Sequence, residues 1–136
     1  RYGTLGRAIV LEPAIRAARE GFEVDAAYLE TAREIAEEIQ REPALAARFP
    51  FLWKHLVREG RLTLGERITN PAQARALELI ALHGRAGFYD GELAQGLVRA
   101  VQDDGGVLSA ADLASYRVAT LEPLEVEYDG RTLYTM

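Results

Sequence analysis

The sequence predicts a mainly α-helical chain that ends in a β-hairpin. Three observations carry this. Apolar residues recur at helical spacing up to about residue 116, with capping residues and glycine stops between the runs. After Tyr116 the spacing changes: Leu124, Val126 and Tyr128 alternate with charged residues, and Thr132 and Tyr134 alternate with Leu133. Between these two runs stands Asp129-Gly130, a strong short-range signal for a tight hairpin turn.

Residues 4–21 read as the first helix, with Thr4 as cap and Gly21 as stop. Its apolar stripe is Ala8, Ile9, Leu11, Ile15 and Ala18, and Pro13 is expected to kink it or to start a second helix. Asp25 is expected to cap a helix over 26–41, where Leu29, Ala32, Ile35, Ala36 and Ile39 form one face. On its outer face Glu37 and Arg41 make a favourable pair four apart, whereas Glu34 and Glu38 repel. Pro43 opens a short helix and Pro50 breaks it. Leu52, Leu56 and Val57 are expected to continue a helical face to Gly60, and residues 61–69 to be loop or extended chain.

Asn70-Pro71-Ala72-Gln73 is a helix start in which Asn70 caps, Pro71 needs no donor and Gln73 can return the bond. Leu77, Ile80 and Ala81 face inward, and Gly84 ends this helix. Residues 87–90 read as a turn, after which Asp90 starts a helix with Leu93, Leu97, Val98 and Val101 inside and Gly105-Gly106 as its stop. Ser109-Ala110-Ala111-Asp112 resembles a capping box opening a further one or two turns.

The composition fits one globular domain. Of the 136 residues 49% are apolar and 27% charged, enough to build a core and far from a disordered composition. The net charge is −5, and 15 arginines and the single Lys54 are scattered among acids, so the basic stripe that nucleic acid requires is missing. Without cysteine there are no disulfides, thiolate nucleophiles or cysteine metal sites. No apolar run approaches the roughly 18 residues of a membrane span, and the first residues do not form a signal peptide. Position 1 is not methionine, so both ends are read as cuts within a longer protein.

Chemistry-bearing motifs are scarce. The chain has no Gly-x-Ser-x-Gly elbow, no His-Glu-x-x-His helix, no phosphate-cradling glycine loop and no EF-hand loop. Of the two serines, Ser109 and Ser115, the first is better explained as a cap. His55 and Glu59 stand four apart, but two ligands are too few for zinc, and a solvated helix face accounts for them. His83 sits in a last helical turn, where a cation suits the helix dipole. Asp103-Asp104-Gly105-Gly106 supplies too few oxygens for calcium and reads as a polar helix end. Trp53, with Phe49 and Phe51, suits core or interface better than a ligand pocket.

The order of short motifs adds what periodicity cannot. Tyr2-Gly3-Thr4-Leu5 precedes Leu11-Glu12-Pro13-Ala14-Ile15 and Ala18-Arg19-Glu20-Gly21-Phe22-Glu23-Val24. Then come Gly65-Glu66-Arg67-Ile68-x-Asn70-Pro71, Leu77-x-x-Ile80-Ala81-x-x-Gly84, Gly87-Phe88-Tyr89-x-Gly91-Glu92 and Val101-Gln102-x-x-Gly105-Gly106. Asp112-Leu113-Ala114-x-Tyr116, Glu122-Pro123-Leu124 and Tyr134-Thr135-Met136 complete the set. In this order and at this spacing the chain resembles an internal piece of the large subunit of a γ-glutamyltransferase (γ-glutamyltranspeptidase). The likeness loosens between residues 43 and 64, where Phe49 to Trp53 look like a lineage-specific variation.

The resemblance implies a fragment of an αββα N-terminal-nucleophile hydrolase, with two sheets between helical layers. It implies one partial domain over 1–136, with a large-subunit helical region at 1–116 and the start of the central sheet at 117–136. It implies a precursor that cuts itself into large and small subunits, so the partner is the small subunit of the same precursor. The freed threonine of that subunit attacks a γ-glutamyl amide such as glutathione and passes the acyl group to water, an amino acid or a peptide. The family's Thr-Thr-His-like nucleophile segment has no counterpart here, and its carboxylate-gripping arginine and its Ser-Ser and Gly-Gly elements belong to other parts of the protein. No catalytic, cofactor or metal residue is therefore expected in residues 1–136, and no cofactor. A bacterial member is expected to be periplasmic or secreted, with the cytoplasm left open. Two alternatives share these expectations in part: a cephalosporin-acylase-like or capsule-processing relative, and a non-catalytic helical module that binds through residues 49–53.

Overall fold

Among the described residues, side-chain caps open three of the seven α-helices. In the computed structural model the described residues are 3–136; Tyr2, the first residue of the Tyr-Gly-Thr segment, lies outside them. Helix α1 (Arg7–Glu20) starts later than the sequence suggests, at Gly6, with no side-chain cap, so Thr4 does not cap it. It runs without interruption through Pro13 and ends at Gly21. Of its expected stripe, Leu11, Ile15 and Ala18 are half-buried while Ala8 and Ile9 are exposed.

Helix α2 (Ala26–Arg41) has the expected bounds, because Asp25 accepts from the Tyr28 amide at 2.8 Å. Its Leu29, Ala32, Ala36 and Ile39 are buried. The Arg41 guanidinium reaches the Glu37 carbonyl at 3.3 Å rather than its carboxylate. Helix α3 (Ala44–Arg48) follows Pro43.

The next segment departs from expectation. Residues Leu52–Leu56 form a π-turn, not an α-helix, and a 3₁₀ turn covers Arg58–Gly60. Residues 61–69 also hold more than loop. Strand β1 (Phe22–Glu23) pairs antiparallel with β2 (Arg67–Ile68), Phe22 opposite Ile68 and Glu23 opposite Arg67. This short ladder is extended by Val24 N–H to the Glu66 carbonyl and Gly65 N–H to the Val24 carbonyl, both 2.8 Å. The strands of the chain are therefore not confined to its C-terminal end.

Helix α4 (Pro71–His83) opens with Asn70 accepting from the Gln73 amide at 3.0 Å. Gln73 does not return the bond; the Asn70 amide instead donates to the Ala18 carbonyl at 2.7 Å, joining the start of α4 to the end of α1. Arg7 Nε donates to the Ala81 carbonyl at 3.2 Å, so the two helices lie antiparallel. Between them Arg19 also pairs with Glu78. Residues expected as a turn form helix α5 (Arg85–Tyr89), and α6 (Gly91–Asp103) follows. In α6 Ala94 is buried, Leu93, Val98 and Val101 are half-buried, and Leu97 is exposed rather than inside. Gly105 N–H returns to the Gln102 carbonyl and Gly106 N–H to the Val101 carbonyl, which is the Schellman pattern that ends α6. The capping box at Ser109 and Asp112 opens α7 (Ala110–Ser115).

The main core lies where α2 meets the β1–β2 pair and residues 57–62. Val24, Leu29, Ala32, Val57, Leu62 and Ile68 form it, with Tyr28, Ile35, Leu52, Trp53 and Leu56 packed around them. Ala74, Ala94 and Leu113 are buried on α4, α6 and α7. Strands β3 (Leu124–Tyr128) and β4 (Arg131–Thr135) pair antiparallel around Asp129-Gly130, as the alternation requires. Both turn residues have positive φ, 49° and 69°, the conformation of a type I′ turn. The molecule is mostly helical, with a C-terminal two-stranded hairpin.

Candidate functional site

The two serine hydroxyls are both engaged in local structure. Ser109 Oγ donates to Asp112 Oδ2 at 2.6 Å and accepts from the Asp112 amide at 3.2 Å. Asp112 Oδ2 also accepts from the Ser109 amide at 2.8 Å. Those bonds stabilise the charged carboxylate and hold Asp112 below the ordinary carboxyl range. A hydroxyl used in this way closes a helix end. Ser115 Oγ donates to the Asp112 carbonyl at 3.2 Å.

His55 and Glu59 are not brought together as a ligand pair. The imidazole stacks on Phe51 with ring centroids 5.1 Å apart, and the Glu59 carboxylate pairs with Arg61. His83 lies in the last turn of α4, and Asp103 and Asp104 at the end of α6. Among the described residues no three His, Asp or Glu side chains converge on a point that could hold a metal. Trp53 is half-buried against the main core, while Phe49 and Phe51 are close to half exposed.

The residues that organise the C-terminal half form a second group. Gly87 is buried in α5, where a Cβ would collide with the Leu79 carbonyl of α4. Two residues earlier, Arg85 donates to the carbonyls of Ala114 at 3.1 Å and Tyr116 at 2.6 Å, and its guanidinium lies 4.8 Å from the Tyr89 ring centroid. Tyr89 stacks in turn on Tyr116, 5.2 Å between centroids and 12° between planes. A cation at these carbonyls satisfies acceptors that the end of α7 leaves open. Arg85 thus sets where the chain leaves α7 for the hairpin. Sequence reading did not single out Arg85, and no local signal marks it: its acceptors lie about thirty residues on.

The hairpin presents the most distinctive surface. Its register puts Leu124, Val126, Tyr128, Arg131, Leu133 and Thr135 on one face and Glu125, Glu127, Thr132 and Tyr134 on the other. The four apolar side chains of the first face, Leu124, Val126, Tyr128 and Leu133, are between 48% and 72% exposed. Val118, Leu121 and Met136 add exposed apolar surface on either side. A two-stranded ribbon is marginal by itself, and its stability needs that face covered or its edges paired. The candidate functional feature is therefore the exposed apolar surface of this hairpin.

Comparison with known proteins points to one family. The γ-glutamyltranspeptidase family model matches residues 1–136. A glutathione hydrolase of Aspergillus flavus is 34% identical over 96% of the chain, and the acylase ACY 1 proenzyme of a Pseudomonas species is 36% identical over 96%. The chain spans 22% of the length of each of these relatives. The crystal structure of Helicobacter pylori γ-glutamyltranspeptidase matches 99% of the chain and 37% of its own, at 26% identity and a TM-score of 0.76.

Proposed function

The chain belongs to the γ-glutamyltranspeptidase family, and on that premise we propose that it is a scaffold segment of the large subunit of a γ-glutamyl acyl-transfer enzyme. The observation that carries the reading is the match of the family model over all 136 residues, together with relatives named as glutathione hydrolases. In this reading the complete protein is an autoprocessed N-terminal-nucleophile hydrolase of αββα architecture. Its acyl group is γ-glutamyl, its nucleophile is the threonine freed at the start of the small subunit, and the attacked bond is an amide such as that of glutathione.

Residues 1–136 then make one partial domain that contributes no catalytic residue. The engaged hydroxyl of Ser109 and the absence of cysteine agree with that assignment. The helical part, residues 3–116, supports the outer layer, and the hairpin begins a central sheet completed by strands of the remaining precursor. The exposed apolar face of Leu124, Val126 and Leu133 is what such a sheet strand presents before its neighbours are added.

A second reading rests on the 36% identity to the acylase ACY 1 proenzyme: the complete protein removes another acyl group on the same scaffold. Assay of the full-length protein on a γ-glutamyl anilide beside the same anilide without the α-amino group of its acyl chain separates the two. Preferential release from the γ-glutamyl compound is expected, and preference for the analogue without the amino group supports the acylase reading. The 136-residue chain alone is expected to turn over neither. Turnover by the purified chain overturns its assignment as scaffold.

A further inference from the structure

Residues 43–58 are chemically unlike the rest of the chain. They contain no aspartate or glutamate, although the whole sequence has 21 acidic residues and a net charge of −5. They hold Arg48, Lys54 and Arg58, the single tryptophan and two of the four phenylalanines. The scaffold reading gives this run no role.

The structure sorts these side chains to two sides. Leu52, Trp53 and Leu56 pack on the main core, and Val57 is buried in it. Arg48, Phe49, Pro50, Phe51, Lys54 and His55 are exposed, the two phenyl rings at 46% and 45%. Main-chain bonds hold the segment that carries them. Phe49 N–H donates to the Leu45 carbonyl at 2.8 Å, Trp53 N–H to the Phe49 carbonyl at 3.0 Å and Val57 N–H to the Leu52 carbonyl at 3.1 Å. The Arg48 guanidinium lies 5.5 Å from the Phe49 ring centroid, and His55 stacks on Phe51. Arg58 is engaged with Glu66 at 3.4 Å, but among the described residues Arg48 and Lys54 pair with no carboxylate. The outward side therefore presents two apolar rings bordered by two uncompensated cations.

Charge and apolar surface together select the partner. Nucleic acid needs a longer cationic track to release its counterions. An apolar protein groove would take the rings and leave both cations without anions. An anionic bilayer takes both, because aromatic side chains settle at the boundary of headgroups and acyl chains while arginine and lysine lie among the lipid phosphates. Acids elsewhere on the chain repel such a surface, but salt screens them beyond about 10 Å. The acid-free segment is thus the part that can approach.

We propose that residues 48–55 dock on an anionic lipid bilayer, with Phe49 and Phe51 in the interfacial layer and Arg48 and Lys54 against headgroup phosphates. The contact is peripheral and reversible, since two rings and two cations fall short of a stable anchor. Sedimentation of the full-length protein with sucrose-loaded vesicles tests it, using phosphatidylglycerol mixed equally with phosphatidylcholine beside phosphatidylcholine alone. Binding to the mixed vesicles is expected, falling as salt is added and weaker by about tenfold or more on phosphatidylcholine alone. Phe49→Ser with Phe51→Ser, and separately Arg48→Gln with Lys54→Gln, are each expected to weaken it by about tenfold. Both variants change exposed side chains; if circular dichroism shows one to be unfolded, the other decides. Free glycerol phosphate is not expected to compete, and competition would mark a phosphate site and overturn the lipid assignment. No preference for the anionic vesicles, as when the rest of the precursor covers this segment, overturns the proposal. Binding that either folded variant leaves unchanged does the same. The measurement reads binding rather than turnover, so its failure leaves the acyl-transfer reading untouched.

Discussion

Arg85 reaches the main-chain carbonyl of Tyr116 at 2.6 Å, bridging 31 positions of sequence from the start of α5 to the point where the chain leaves α7. The same guanidinium stacks on Tyr89, whose other neighbour is Tyr116. One side chain thereby holds the end of α7, where the chain leaves for the hairpin. Arg85→Met keeps the aliphatic stem but removes the donors. It is expected to destabilise by about 1–2 kcal/mol, the scale of hydrogen bonds from a charged group discounted for partial exposure. Denaturant unfolding of the full-length protein and its variant measures this. An unchanged midpoint would show that the carbonyls at the end of α7 are equally well served by water.

Two glycines on neighbouring helices should respond in opposite directions. A Cβ at Gly87 runs into the Leu79 carbonyl, a backbone atom that cannot rotate away. Gly87→Ala is therefore expected to cost about 2–3 kcal/mol, at the upper end of overpacking penalties. Gly96, inside α6, has open space where its Cβ would be. Gly96→Ala is expected to stabilise by about 0.5–1 kcal/mol through helix propensity. Thermal melts of the two variants check the pair, and a Gly87→Ala variant that melts no lower than the parent would contradict the close approach of α5 to α4.

What the sequence could reveal followed the range of each interaction. Asp25, Asn70, Ser109 and Asp129-Gly130 act on amides within three residues, so their caps and turn were legible without tertiary knowledge. Pairing of Phe22 with Ile68 was not, since neither two-residue strand has a pattern of its own. Residues 52–57 carried apolar spacing compatible with an α-helix, yet Leu52, Trp53 and Leu56 pack on the core from a π-turn. Gly87 read as part of a turn because its burial against Leu79 depends on how α4 and α5 meet. Thr4 had the residue type of a cap but lay too far upstream of the first helical residue. For the candidate site, family motifs were readable as an ordered set, whereas Arg85 was one arginine among 15 until its distant acceptors were placed beside it.

The capping box predicts an acid-side sensitivity. Ser109 bonds to the charged form of Asp112, so the folded pKa is lowered while the unfolded one is ordinary. The stabilisation is fully present above the unfolded carboxyl range, about pH 4, and is lost as pH falls through the lower folded value. Asp112→Asn is expected to flatten that part of the stability profile, leaving neutral-pH behaviour to report the cap geometry alone. Ser109→Ala is expected to cost about 1 kcal/mol at neutral pH, a typical loss for an N-cap hydroxyl. Equilibrium unfolding between neutral pH and acid measures both. An identical acid-side slope in the wild-type and asparagine chains would remove Asp112 as a source of the dependence.

The hairpin should make the separate 136-residue chain self-associate. Its register aligns Val126 with Leu133 at the centre of one face, and both remain about half exposed. Among the described residues each strand also has only one neighbour, leaving a row of main-chain donors and acceptors on both outer edges. Water can satisfy those edge groups, but it cannot recover the hydrophobic stabilisation of covering the apolar face. A second copy can do both, by adding a strand to an edge and packing face to face. Sedimentation velocity over increasing concentration is expected to show dimers or larger species. Val126→Lys with Leu133→Lys places like charges opposite each other and removes the apolar centre, so this double variant is expected to be monomeric while its helices keep their circular dichroism. If the unaltered chain stays monomeric at high concentration, the exposed face is not a driving force for assembly, and its place in a larger sheet would have to rest on the family match alone.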